Sequence, residues 1–174
     1  HAFLNLGVGA NIVGEIKRDQ LANDLLISLA SCAFNAPKTP PVFEPSPESQ
    51  GLKLTEKFFK ELPPMNTICQ RCNNDTELID LIGIDNFNIL RFFILSNKAQ
   101  LINLNTNQSI KIPKFKGYQF LATFVSPESE LKFLEKKKQF GAKWFWHGSR
   151  TERWYRILHT GLKDYGNTKY QLHA

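Results

Sequence analysis

The chain has 174 residues, 42% of them hydrophobic and 22% charged, with a formal net charge of +6. That balance excludes an intrinsically disordered chain and fits one domain or two small ones. No apolar run reaches the roughly 18 residues that a membrane-spanning helix needs, so none is expected. The cysteines Cys32, Cys69 and Cys72 cannot all pair, and no signal peptide is recognisable. A reducing intracellular setting, cytoplasm or nucleus, is the simpler reading, with room for a tail anchor beyond Ala174. The positive charge reads as a surface with slightly more lysine than glutamate. Nucleic acid is not expected as a partner, because the charges are not clustered with stacking aromatics.

Gly7-Val8-Gly9 and Gly14 lack the spacing of a dinucleotide fingerprint, since Ile12 stands where glycine would be needed; a loop is expected there. From about Ile16 to Phe34 the residues Leu21, Leu25, Leu29 and Cys32 recur every three or four positions, predicting an amphipathic helix. Five prolines between positions 37 and 47 forbid helix and predict an extended linker. Thr55 to Leu62 reads as a short helix stopped by Pro63-Pro64, and Met65 to Ile82 as a helical pattern interrupted near Asn73-Asn74. Asp85 is the expected N-cap of an apolar helix, Phe87 to Leu95. Leu101 to Leu104 predicts a short strand. Near Lys116 the period changes to two, and Tyr118 to Val125 reads as a strand apolar on both faces. Ser126-Pro127-Glu128 opens a further helix that Gly141 closes.

Next come the aromatics Trp144-Phe145-Trp146, which suit a fully buried strand with His147 at its end. A small polar turn, Gly148-Ser149, follows. Ser149-x-x-Glu152 has the spacing of a capping box, with Trp154, Ile157 and Leu158 at helical spacing and Gly161 as terminator. Strand, tight turn, helix is the expected unit, and a polar residue at the carboxyl end of such a strand commonly faces a ligand crevice. His159 and His173 read as surface residues. Cys69-x-x-Cys72 has metal spacing, but no second pair completes a zinc site, so ordinary thiols are expected and no metal.

Trp146-His147-Gly148-Ser149-Arg150, with Ile157-Leu158-x-x-Gly161-Leu162 at the matching distance, resembles the first signature of the poly(ADP-ribose) polymerase-type catalytic domain. Thr168-Lys169-Tyr170-Gln171-Leu172-His173 resembles the approach to that family's second signature, and Leu95-Ser96-Asn97 is a weaker upstream match. The motif match covers residues 143 to 174, and the pattern is most similar to the mono-ADP-ribosylating branch that carries a helical domain ahead of the catalytic one. The resemblance implies an α+β chain: a helical domain over residues 1–115, then the first strands and helices of a truncated catalytic domain over 116–174. Because the chain starts at His1 and stops at Ala174 inside the matched motif, it reads as a fragment of a longer protein.

ADP-ribosyl transfer breaks the bond between nicotinamide and ribose through an oxocarbenium-like transition state, so the enzyme must hold carboxamide and ribose rigidly. One residue's backbone N–H and C=O can pair with a primary carboxamide, and glycine allows close approach. By resemblance, Gly148 takes that role and His147 hydrogen-bonds a ribose hydroxyl of the substrate NAD. Ser149 would lie beside the adenosine, and Lys163 would stand where the family often has arginine near the diphosphate. Lysine keeps that charge but lacks the planar fork. Arg153 replaces an asparagine common in the family. The stacking tyrosine and the last triad residue are expected beyond Ala174, so the fragment alone should be inactive. The implied function is transfer of ADP-ribose from NAD to a protein side chain. The alternative is a catalytically dead relative whose helical part recruits partners.

Overall fold

The computed structural model describes residues 11–36, 51–96, 99–124 and 127–162. The proline-rich stretch expected as a linker, Lys163 and the Thr168 to His173 match lie outside them. The architecture is mixed: eight helices and an antiparallel pair of strands among the described residues, compatible with an α+β class.

Helix α1 spans Ile12–Arg18 and α2 spans Gln20–Phe34. The expected loop around Gly14 is thus helical, and the single helix expected from Ile16 is two. Asp19 is the reason. With φ −150° and ψ 84° it leaves the helical region. Its Oδ1 accepts from Ala22 N at 3.0 Å, capping α2. Asn23 Nδ2 donates to the Glu15 and Asp19 carbonyls, satisfying groups that the break would orphan. The buried face of α2 is shifted from the expected one: Leu29 is buried and Leu25 packs against the core as expected, but Ala22, Leu26, Ile27, Ala30 and Ala33 also face inward, while Cys32 is exposed. The inward alanines let neighbouring elements approach closely, which a leucine-only periodicity does not register.

Helices α3 (Glu56–Glu61), α4 (Met65–Arg71) and α5 (Asp75–Ile82) follow; the short helix expected from Thr55 to Leu62 is α3, with Thr55 as its N-cap. Asn74 caps α5: its Oδ1 accepts from Glu77 N at 2.9 Å, while Glu77 Oε2 accepts from Asn73 N at 2.8 Å. This is close to the reciprocal pattern of a capping box. Helix α6 runs Ile84–Leu95, so Asp85 lies in its first turn and is not its cap. Gly83 displaces it. At φ 79° this glycine both ends α5 and opens α6 with no loop between them.

Strands β1 (Ala99–Leu104) and β2 (Gln119–Phe124) pair antiparallel, in register from Ala99 opposite Phe124 to Leu104 opposite Gln119. The Gln119 side chain grips the neck of their connection, accepting from Ile110 N at 2.9 Å and donating to Ile110 O at 2.7 Å. Leu121 is 47% exposed, so β2 is not buried on both faces as expected. A two-stranded ribbon has only one covered side. Helix α7 (Pro127–Phe140) ends at Gly141 as predicted, and α8 spans Thr151–Thr160.

Carboxylates tie distant parts of the chain together. Asp75 accepts from Ile12 N at 3.1 Å and Val13 N at 3.0 Å, filling the start of α1 from the start of α5. Asp24 accepts from Met65 N at 3.1 Å, and Asp19 Oδ2 from Asn103 N at 2.7 Å. Each is a charge-assisted bond to a donor that would otherwise be orphaned. Around them sits a core in which Ile12, Ile16, Phe58, Ile68, Leu78, Leu90, Phe93 and Tyr155 are essentially sealed from solvent. Phe93 meets Phe92, Phe58 and Tyr155 at ring separations of 5.4, 6.0 and 5.8 Å.

Replacing Asp75 with alanine should lower stability by about 1–3 kcal/mol, because two helix-terminal donors lose their acceptor. Lys57→Ala, which breaks only the exposed 3.7 Å pair with Glu61, should stay within about 0.5 kcal/mol in the same urea-unfolding comparison.

Burial pushes the Tyr155 phenol up from its ordinary value of 10.0, and burial likewise raises the Cys69 and Cys72 thiols from 9.0. A raised folded-state value means that the folded chain keeps protons that the unfolded chain releases. The contribution is complete below the unfolded values and is lost as pH rises past them. Unfolding free energy should therefore be lower at about pH 11 than at about pH 8, and Tyr155→Phe should flatten part of that decline.

Candidate functional site: the His147–Gly148–Ser149 turn

The motif is presented by two unlike supports. Before it, α7 closes when Gly141 N donates to Lys137 O at 2.8 Å with φ 75° at the glycine. After it, α8 is fixed to the body: among helix pairs, α2 and α8 share the most extensive contact. Tyr155, Leu158 and His159 form the buried face of α8. Gly161 terminates the helix at φ 75°, its N–H donating to Ile157 O at 2.9 Å, as the sequence predicts.

Between these supports the chain from residue 141 to 150 has no regular secondary structure. The expected buried strand is absent. Trp144, Phe145 and Trp146 are 98%, 84% and 86% exposed and not part of the core. A strand is not self-sufficient: its N–H and C=O groups need a neighbouring strand and its side chains a covering layer. β1 and β2 pair only with each other, so neither provides one. The expected capping box is absent too. The helix starts at Thr151, one residue later than a Ser149 cap would require, and Arg150 at the N-cap position makes no side-chain capping bond.

His147 and Gly148 are exposed and Ser149 is half-buried. A Cβ added at Gly148 would meet nothing within 4 Å, so no described neighbour demands glycine there. His147 makes no hydrogen bond to a described residue. Its imidazole lies edge-on to the indole of Trp154, with centroids 6.1 Å apart and planes at 76°. Trp154 is half-buried and packs against the core. The turn is thus open to solvent, beside a helix anchored by its opposite face. Lys163 lies outside the described residues, so no geometry relates it to the other three.

His159 departs from the expected surface position: it is 4% exposed. Its Nδ1 lies 2.9 Å from Tyr155 O, and since a carbonyl only accepts, Nδ1 carries the proton. The ring also tilts against Tyr155 at 4.4 Å. The spacing of Tyr155, Leu158 and His159 signals this face, but a histidine in it is easily assigned to solvent. Among the described residues, no group of three or more His, Cys, Asp or Glu could hold a metal ion. No helix of the described residues is long and apolar enough to cross a membrane.

Two curated relatives are similar to the chain over nearly its whole length. The protein mono-ADP-ribosyltransferases PARP8 of Mus musculus and Homo sapiens are each 29% identical over 189 aligned positions, covering 99% of this chain and 22% of the relative. The chain thus spans about a fifth of the length of the curated relatives it matches. No family model matches the chain, and no solved structure does. The likeness is distant homology, and it relates the chain to the PARP family of ADP-ribosyltransferases.

Proposed function

We propose that this chain is part of an NAD-dependent protein mono-ADP-ribosyltransferase. In this reading residues 1–115 form a helical domain and 116–174 open the catalytic domain, in an intracellular protein that takes NAD and a protein acceptor as substrates. The observation that carries the reading is the open His147-Gly148-Ser149 turn, set ahead of a docked helix in a chain 29% identical along 99% of its length to a mono-ADP-ribosyltransferase. Gly148 offers backbone N–H and C=O to the nicotinamide carboxamide, and the open space around it suits a ligand's close approach. His147 holds a ribose hydroxyl, Ser149 flanks the adenosine and Lys163 faces the diphosphate. As the glycosidic bond breaks, its electron pair leaves with nicotinamide. The acceptor side chain then bonds to the ribose carbon and releases a proton. The residues named here bind and orient, which is where most of such a barrier is removed.

A second reading, a catalytically silent relative used as an interaction module, is favoured by Arg153 standing where the family commonly has asparagine. The two separate in one assay. The full-length gene product, given labelled NAD, should modify itself or release nicotinamide, and His147→Ala should lower that rate by about 100-fold or more, the scale of a lost positioning contact. An unchanged rate in His147→Ala contradicts the site assignment, and no turnover by the wild-type protein favours the silent relative.

A further inference from the structure

We infer that Trp154 is the positioning residue for His147: the indole, rooted in α8, sets where the imidazole of the otherwise unsupported turn stands. This rests on the proposed function for its catalytic consequence, but the contact itself does not depend on it.

The turn has little else to hold it. Residues 141–150 form no regular structure, the aromatics just before His147 are solvent-exposed, and no hydrogen bond links the imidazole to a described residue. A histidine in such a segment would sample several rotamers, and an imidazole that must meet one hydroxyl would lose rate to that sampling. The edge contact with Trp154 opposes this. Its centroid separation of 6.1 Å and interplanar angle of 76° fall in the favourable edge-to-face range for aromatic pairs.

The indole is itself constrained. Trp154 packs against the core beside the buried Tyr155, on the helix most extensively applied to α2. Rigid body, helix, indole and imidazole therefore form one mechanical series. The sequence also explains why a large aromatic is needed. His147 and Trp154 are seven residues apart, the first in irregular chain and the second in α8, a gap that a short side chain would not bridge. Of the tryptophans near the motif, Trp144 and Trp146 are exposed and Trp154 alone packs against the core.

The test compares Trp154→Leu, Trp154→Phe and the control Trp144→Leu in the full-length protein. Leucine keeps apolar bulk against the core, and phenylalanine keeps an aromatic face. The first readout is the rate at which diethyl pyrocarbonate modifies His147, followed by peptide mass spectrometry. Trp154→Leu should speed that modification about twofold to tenfold, the weight of an aromatic edge contact, with Trp154→Phe restoring much of the protection and Trp144→Leu without effect. The second readout is a mutant cycle on NAD turnover. Trp154→Leu should lower kcat/KM by about the same factor when His147 is present, and have no further effect on His147→Ala. An unchanged modification rate in Trp154→Leu, or equal losses with and without His147, overturns the inference. Faster modification combined with turnover indifferent to His147 would leave the contact standing and remove the proposed function instead.

Discussion

The attachment of α8 to the helical body is the constraint on which the rest depends. Tyr155 enters the core, meets Phe93 edge-on and is sealed from solvent, while Leu158 and His159 extend the same face. A helix of this length is marginal alone, so its order comes from that burial. Residues at its start are then presented outward. The polar turn inherits a rigid base although its own backbone has no sheet or helix to support it.

The body that receives α8 is held by the same physics at several points. Carboxylates fill helix starts and bridge segments: Asp75 reaches α1 and Asp24 reaches α4 from distant positions, and Asp19 caps its own helix α2 while also holding β1. Each bond joins segments that the hydrophobic effect alone would bring near without fixing their angle. Phe93 of α6, itself packed against Phe58 and Phe92, then meets the Tyr155 ring. Packing and directional bonding are complementary here, the first supplying most of the free energy and the second the register.

Much of this was legible in the residues. The Asn73-Asn74 break, the short helix ahead of Pro63-Pro64, the glycine stops at Gly141 and Gly161 and both short strands follow from local chemistry. So does the helix that follows His147-Gly148-Ser149, whereas the tight turn expected at those three residues is irregular chain. What was not legible depends on partners distant in sequence. The break at Asp19 needs a carboxylate that also serves Asn103, and the inward alanines of α2 matter only through what approaches them. Trp144-Phe145-Trp146 has the composition of a buried strand, but composition cannot supply the neighbouring strand that burial requires. His159 is polar and so expected at the surface, yet it lies on the buried face of α8. For the candidate site, residue identity was readable and relative placement was not, as the contact between His147 and Trp154 shows.

In the proposed function the open main chain at Gly148 recognises a carboxamide. Its most direct measurement is equilibrium binding of benzamide, a primary carboxamide on an aromatic ring, to the full-length protein and to Gly148→Val. Added side-chain atoms at this position should find free space, so the variant should fold with unchanged melting temperature. The expected result is saturable binding by the wild type that is lost in Gly148→Val. Equal binding by the two proteins would contradict it.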